Sequence, residues 1–420
     1  MIMRKKLIFS VCFLFFLSAC ASTAEHERVE TITYAPSAAP TESTNTSMII
    51  QTITPVPEEC WRTVVISDYE NRPSFPLSIS EGVEESLWVL YHNRLQQILS
   101  DGTIKLYNFR DFFDCGKCLE IANGSMAVSE AGDVWIGLPT GILIVEENGN
   151  WRHLEINEIT PLGNEKSDLQ VLLSDKKGDI WVSQDNTLCF YDDIAWHCNT
   201  LNELTWESHL VEGTTQADDI ISATSGQGNQ IWFGTEYGRI ILYDGEGFIV
   251  ENLNEAIDAQ EPIRRIRSMD FDEETGFLWA ISSTISSCID ITFNELNSAV
   301  FQRDSEGNWL SFAKKLFVAP PYHSSGCGHE VTSIVVTKES KVWLGIRHQF
   351  GLAYYDGLSW KTLRDEPLPY IQNGQTSNIV SACDIPLSDW VTDLLITRAG
   401  KLVMANQLGV FEYIGSNITD

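Results

Sequence analysis

A tryptophan-centred segment recurs along most of this chain, and it constrains the fold more than any other feature. The clearest copy, residues 132–137, reads GDVWIG, and residues 340–345 read SKVWLG. The first five centres lie about 47 residues apart, a period that is typical of propeller blades. Four clear and three weaker copies are centred on Trp88, Trp135, Trp181, Trp232, Trp279, Trp343 and Val403.

Each repeat contains four short β-type segments in the same order. An apolar run such as residues 169–173 ends in a Gly/Asp turn, and the tryptophan segment follows. A third segment ends in a turn such as Tyr243-Asp244-Gly245, and a fourth begins with an aromatic residue such as Trp360. Short β-branched and aromatic runs separated by such turns are typical of antiparallel strands. We therefore expect an all-β propeller in which the repeated tryptophans pack between neighbouring blades.

The two ends of the repeat region complement each other. The last repeat stops after its third segment, residues 409–414, whereas residues 60–66 (CWRTVVI) form an isolated segment of the fourth type. Pairing the two closes a ring and covers an open sheet edge. The sequence predicts seven four-stranded antiparallel blades over residues 58–420, with the N-terminal strand closing the last blade. Because three repeats are weak, six or eight blades stay open at this point.

The N-terminus has the pattern of an export signal. Three basic residues at positions 4–6 precede an apolar run, residues 7–17, that is too short to cross a bilayer. The run ends in residues 17–20 (LSAC), which resemble the lipobox of bacterial lipoproteins. This resemblance implies removal of residues 1–19 and lipidation of Cys20; ordinary signal-peptidase cleavage is the alternative. Residues 20–57 are rich in Ser, Thr, Pro and Ala, which favours a tether.

Charge narrows the choice of partner. The chain has 28 basic and 58 acidic residues, a formal net charge of −30. A nucleic-acid binder needs a basic face to neutralise phosphates, so this balance argues against one. We therefore expect the partner to be an unknown ligand or an envelope protein. We expect the protein to contact a membrane through its lipid anchor.

The repeat also resembles a known family. Residues 351–360 (GLAYYDGLSW) and the Trp-centred hexapeptides are similar to the two-component regulator propeller repeat over about residues 60–415. That resemblance implies an extracytoplasmic, sensor-type β-propeller. This sequence shows neither a kinase region nor an output domain, so it implies a stand-alone, tethered binding propeller. A scaffold in an envelope complex and a propeller lyase or glycoside hydrolase are the alternatives.

Motifs for catalysis, cofactors and metals are weak or absent. The nucleophile-elbow, dinucleotide, Walker A and zinc-protease patterns do not occur. Residues 270–276 only partly resemble a calcium loop, because the later Glu is missing. His323, Cys327 and His329 lack an evident fourth zinc ligand. We therefore predict no catalytic residue, no cofactor and no metal site.

The cysteine pattern suggests disulfides. Eight cysteines lie beyond Cys12 and Cys20, an even number that suits an oxidising compartment. A tight turn between Tyr191 and Trp196 places Cys189 opposite Cys198 on neighbouring strands, within reach of a disulfide. Cys327 and Cys383 lie in long loops of neighbouring blades and form the second predicted pair.

The long loops predict a binding face. In a four-stranded meander, the links from a fourth strand to the next first strand share a face with the second-to-third links. Four long insertions fall there: residues 109–124, 202–217, 313–330 and 364–389. Irregular loops on a rigid scaffold often carry binding sites, although each side chain could instead pack its own loop. The candidate ligand-binding residues are Arg110, Trp206, His209, Arg264, Arg265, Tyr322, His323, Tyr370 and Trp390.

Overall fold

Seven four-stranded antiparallel sheets make up the described part of the chain. The computed structural model describes residues 61–66, 75–109, 125–159, 169–200, 218–257, 263–283, 298–312, 330–347, 351–362 and 390–414. Each sheet is one propeller blade, so the predicted seven-bladed all-β fold is confirmed. Among these residues, no helix is long and apolar enough to cross a bilayer.

Strand β1 comes first in the chain but belongs to the last blade. It spans Trp61–Ile66. Blade 1 contains β2 (Ser78–Glu81), β3 (Leu87–Tyr91), β4 (Arg94–Ile98) and β5 (Ile104–Asn108), with a 3-10 turn at Val83–Glu85. Blade 2 contains β6 (Met126–Val128), β7 (Val134–Leu138), β8 (Gly141–Val145) and β9 (Trp151–Glu155), followed by a 3-10 turn at Ile156–Glu158. Blade 3 contains β10 (Gln170–Ser174), β11 (Ile180–Gln184), β12 (Thr187–Tyr191) and β13 (Trp196–Thr200).

The remaining blades repeat this order. Blade 4 contains β14 (Ile220–Ser225), β15 (Ile231–Thr235), β16 (Arg239–Tyr243) and β17 (Phe248–Asn252), followed by the one-turn helix α1 (Leu253–Ala256). Blade 5 contains β18 (Ile266–Asp272), β19 (Phe277–Ser283), β20 (Ser298–Arg303) and β21 (Trp309–Phe312). Blade 6 contains β22 (Glu330–Val336), β23 (Val342–Arg347), β24 (Leu352–Tyr355) and β25 (Trp360–Thr362). Blade 7 contains β26 (Val391–Ile396), β27 (Leu402–Asn406) and β28 (Gly409–Tyr413), and β1 completes it.

The ring closes through the two ends of the repeat region. Strand β1 runs antiparallel to β28, with Trp61 opposite Tyr413 and Ile66 opposite Gly409. The predicted closure of the last blade by the N-terminal strand is therefore confirmed. Because β28 ends at Tyr413, the chain enters β1 on the face that carries the third-to-fourth-strand turns.

The repeated tryptophans pack as the sequence predicts. Trp135 of blade 2 is buried against blade 3, with its rings 5.7 Å from Tyr191. Trp343 of blade 6 packs in the same way on Tyr413 of blade 7, at 5.9 Å. The glycine after the motif allows the blades to approach, since a Cβ on Gly345 would lie 2.7 Å from Val391. The hexapeptide thus encodes contact between blades rather than a site.

The junction between blades 7 and 1 differs from the others. Val403 occupies the position that tryptophan takes in the other six blades. A groove of about 550 Å³ lies beside it, lined by Val65, Ile98 and other residues of the two blades. The smaller side chain leaves part of this junction open to the groove.

A disulfide joins two strands of blade 3. Cys189 on β12 lies directly opposite Cys198 on β13, with their Cα atoms 4.1 Å apart, and the two sulfurs are bonded. The register predicted from the turn between Tyr191 and Trp196 is confirmed. The other predicted pair, Cys327 and Cys383, lies outside the described residues.

Candidate ligand-binding site at the channel mouth

A cavity of about 560 Å³ opens at one end of the central channel. The N-terminal halves of the seven first strands line it, together with His92 from the β3–β4 turn and Arg347 at the end of β23. These positions belong to the face that carries the second-to-third links and the links into each first strand. We call this face the mouth face and the cavity the mouth cavity. This is the face that carries the four long insertions, and it is therefore the face on which the sequence predicts ligand binding.

A repeated backbone feature directs side chains into the mouth cavity. Five first strands contain a β-bulge at their second or third residue, where the pairing register shifts by one. Bulges leave the extra residue unpaired and change the direction of its side chain. All five bulged residues line the cavity: Leu172, Ile221, Arg267, Thr332 and Thr392. Arg267 is the one charged member of this set.

Arg267 belongs to a cluster that spans blades 5 and 6. Its guanidinium pairs with one carboxylate oxygen of Glu330, and Nη1 of Arg347 pairs with the other oxygen at 2.9 Å. The three side chains are about one-third, one-sixth and one-third exposed, in the order Arg267, Glu330, Arg347. Two cations therefore share one anion, and this Arg–Glu–Arg cluster has a net positive charge. Burial lowers the pKa of Arg347; Glu330 opposes this shift, and the charge of Arg267 adds to it.

An aromatic wall adjoins this cluster. The guanidinium carbon of Arg347 lies 3.9 Å from the ring centroid of Trp390, and a backbone bridge joins the same two residues. Phe75 lies 6.0 Å from Trp390 between ring centroids and 6.0 Å from His92. Stacking on an indole restricts the plane of a guanidinium and leaves its edge available to an acceptor. Trp390 and Phe75 thus supply a flat apolar surface next to a positioned cation.

The two arginines predicted from the loop before blade 5 have different environments. Nε of Arg265 donates to Glu236 at 3.0 Å, and the side chain lines the mouth cavity. The guanidinium of Arg264 lies 6.0 Å from the ring centroid of Tyr237 and does not line the cavity. Arg265 therefore joins the two cluster arginines around the cavity, whereas Arg264 packs on the surface of blade 4.

One carboxylate of the described residues, Asp393, lines the cavity directly. It accepts hydrogen bonds from the backbone of Ile79 and Leu394 and from the hydroxyls of Ser78 and Ser333, at 2.9 to 3.2 Å. Burial raises its pKa to about 6, although these four bonds favour the ionised form. Its oxygens are occupied in joining blade 7 to blades 1 and 6. Arginine stays protonated at neutral pH, so the arrangement is suited to holding an anion more than to moving a proton.

The opposite face has a different charge. It carries the first-to-second and third-to-fourth turns, and we call it the turn face. Its third-to-fourth turns contain ten carboxylates in blades 1 to 6: Asp101, Glu146, Glu147, Asp192, Asp193, Asp244, Glu246, Asp304, Glu306 and Asp356. An anion therefore meets repulsion at these turns and cationic side chains at the mouth cavity.

The candidate residues from the sequence divide into two groups. Arg265 and Trp390 line the mouth cavity, and Arg264 lies near it on the same face. Arg110, Trp206, His209, Tyr322, His323 and Tyr370 lie outside the described residues, as does Cys20. Sequence reasoning missed Arg267, Arg347, Phe75 and His92. Aligning the first strands of the repeats would have shown Arg267 as a cation at a position where four other repeats carry Leu, Ile or Thr.

Comparisons with known proteins bear on the fold. No protein-family model matches the chain, and no curated protein sequence matches it. Among solved structures, virginiamycin B lyase from Staphylococcus aureus superposes with a TM-score of 0.51 and 13% identity, covering 82% of this chain and 95% of the lyase. YCF48 bound to D1 peptide has a TM-score of 0.53 and 12% identity, covering 89% and 99%.

An extracellular domain of a two component system is also similar. The extracellular domain of the two component system BT4673 from B. thetaiotaomicron has a TM-score of 0.53 and 12% identity. The match covers 84% of this chain but 39% of that one. At these identities the likenesses establish the propeller fold alone, which occurs here in a lyase, a peptide-bound protein and an extracellular domain.

Proposed function

We propose that this protein is a lipid-anchored, extracytoplasmic propeller that recognises a ligand in a sensor-like manner at its mouth face. The observation that carries the proposal is the mouth cavity, which Arg265, Arg267 and Arg347 line together with Trp390, and in which Arg347 stacks on Trp390. Concave sites with a few convergent polar groups beside apolar walls are typical of ligand pockets. The volume of about 560 Å³ is within the usual range for a small molecule.

The sequence supports the proposed location. The segment from Arg4 to Cys20 resembles a lipoprotein signal, and the repeat resembles the two-component regulator propeller family. The BT4673 neighbour is an extracellular domain, which agrees with export of this fold. Since the chain enters β1 on the turn face, a tether that precedes Trp61 joins the propeller opposite the mouth cavity. Such an attachment leaves the mouth face accessible to a soluble ligand.

Recognition accounts for the cavity better than the alternatives do. A propeller lyase or glycoside hydrolase needs a carboxylate or another base that can exchange a proton with substrate. The described carboxylate of the cavity, Asp393, already accepts four hydrogen bonds from neighbouring strands, and the described histidine of the cavity, His92, packs edge-to-face with Phe75. A scaffold would use a broad surface, and it does not explain three arginines around one concave site.

The test is a ligand screen on paired variants. Purified residues 20–420 would be screened by thermal shift against soluble glycans and small metabolites. We expect hits for the wild type that weaken by more than about 1 kcal/mol in Trp390→Ala combined with Trp206→Ala. Leu358→Ala, at an exposed turn-face position, is the matched control and should bind normally. Hits that depend on Leu358 and ignore Trp390 would place recognition on the turn face.

A further inference from the structure

The mouth cavity contains cationic hydrogen-bond donors for which the described part of the chain provides no acceptor. Within the described residues, Arg267 pairs through Nη1 with Glu330, and Arg347 also pairs through Nη1. Arg265 pairs through Nε with Glu236. No described residue accepts a hydrogen bond from Nη2 of these three arginines. Among the described residues, each guanidinium therefore has a terminal nitrogen that can donate to a ligand acceptor.

The net positive charge of the Arg–Glu–Arg cluster indicates that the acceptor group of the ligand is an anion. Both oxygens of Glu330 are engaged, so the carboxylate cannot neutralise two guanidiniums. The like charges of Arg267 and Arg347 disfavour each other in a partly buried position, and a second anion would relieve this repulsion. Guanidinium matches carboxylate geometry through two parallel N–H groups.

The aromatic wall of Trp390 and Phe75 indicates what kind of molecule bears the anionic group. Trp390 and Phe75 present aromatic faces tilted by 34° to each other, next to the guanidinium of Arg347. A six-membered ring, planar in an aromatic acid or puckered in a sugar, can lie against the side of these residues that lines the cavity, while a carboxylate on its edge reaches the cations. A bare inorganic anion would make no contact with this apolar lining.

We infer that the mouth cavity binds a carboxylate carried on a single six-membered ring, held by Arg267 and Arg347 with the ring against Trp390. The inference rests on the proposed function, because it names the ligand class of the same site. Two sources share this chemistry: a uronic acid and an aromatic acid. They differ in whether ring hydroxyls are needed, and matched neutral compounds can separate them.

The experiment is isothermal titration of residues 20–420 with four probes. D-galacturonate is compared with D-galactose, and benzoate with benzyl alcohol, so that each pair differs in the carboxylate. We expect at least one acid to bind ten-fold or more tightly than its neutral partner. Arg347→Gln should lower the affinity for that acid at least ten-fold. Arg398→Gln, an exposed arginine of the turn face, should leave it unchanged.

Each other result overturns the inference. If neither acid binds, or if the neutral partner binds equally, the carboxylate has no role. A neutral sugar that binds and depends on Trp390 but not on Arg347 would contradict the inference and leave the proposed function standing. Hits from the broader screen that are unaffected by both Trp390→Ala and Arg347→Gln would contradict both.

Discussion

Trp61 and Tyr413 lie directly opposite each other across the closing strand pair, with their ring centroids 5.1 Å apart in an edge-to-face arrangement. They are separated by almost the whole repeat region in sequence. Trp61 is 3% exposed and belongs to the same core cluster as Trp343 of blade 6. This contact joins the first described strand to the last and completes the ring.

The first prediction concerns that contact. Trp61→Ala should lower the free energy of unfolding by about 3–5 kcal/mol, because it removes a buried aromatic side chain and leaves a cavity. Trp151→Ala is the control, since Trp151 begins a fourth strand in blade 2 but is 41% exposed; its loss should cost less than about 1 kcal/mol. Urea unfolding of the two variants measures the difference, and equal losses would contradict the closure.

Removing the whole strand gives a second test. Without residues 58–66, β28 becomes an unpaired edge, and exposed edges promote association. The truncated protein should elute as oligomers or aggregates in size-exclusion chromatography. A monomer with an unchanged melting temperature would show that β1 is dispensable.

The third prediction concerns pH. Burial raises the pKa of Asp218, Asp270 and Asp393 to about 6 each. Between about pH 4 and pH 6 the folded state therefore binds more protons than the unfolded state, so stability should rise as the pH falls from 7.5 towards 5. Turn carboxylates oppose this at lower pH, since hydrogen bonds lower the pKa of Asp192 to about 2 and also lower that of Asp356. We expect a maximum in melting temperature between about pH 4 and 6.

A variant at Asp270 distinguishes two causes of the pH dependence of the melting temperature: protonation of a buried carboxylate and the change in net surface charge. Asp270→Asn removes one ionisable group that bridges blade 5 to Val336 of blade 6. Its melting temperature should be lower overall, because one hydrogen bond acceptor is lost, but it should vary less between pH 7.5 and pH 5. An unaltered slope would show that Asp270 makes no contribution to the pH dependence.

The fourth prediction concerns the disulfide of blade 3. Peptide mapping without reduction should recover Cys189 linked to Cys198. Cys198→Ala should lower the free energy of unfolding by about 2–3 kcal/mol, as is usual for a short closed loop. The same map tests the predicted pair of Cys327 and Cys383. Recovery of Cys189 and Cys198 as free thiols would contradict the structure of this blade.

The fifth prediction concerns the anchor. Cells that express the full chain should incorporate labelled fatty acid into the protein, and Cys20→Ala should abolish the label. Cys12→Ala, inside the apolar segment, is the control and should keep it. Label that persists in Cys20→Ala would rule out lipidation at this position.

Much of the fold could be predicted because the same pattern of strand-like segments and turns recurs in all seven repeats. The Trp motif fixed the second strand of most blades, and the isolated segment around Trp61 revealed the closure. The tight turn after Tyr191 was enough to set the Cys189–Cys198 register. Local turn chemistry and a period of about 47 residues thus predicted the strand order and the ring closure, and the structure decides between six, seven and eight blades in favour of seven.

The candidate site was harder to predict. Trp390 was a candidate because it follows a long insertion on the expected face, and Arg265 was a candidate because it is a basic residue that enters the same face before blade 5 in a very acidic chain. Arg267 and Arg347 lie within or at the end of regular strands, where a residue in a single repeat is normally interpreted as structural. A β-bulge directs Arg267 into the channel, and a bulge depends on the pairing of two strands, which one strand's sequence does not show.

Protection of the mouth cavity by a bound ligand tests the central claim most directly. The measurement is hydroxyl-radical footprinting of residues 20–420 with and without the compound that gives the largest thermal shift, read by mass spectrometry. The account predicts lower oxidation of Trp390 and Phe75, and unchanged oxidation of Trp151 and Leu358. Protection of Leu358 or Trp151 with no change at Trp390 would contradict recognition at the mouth face.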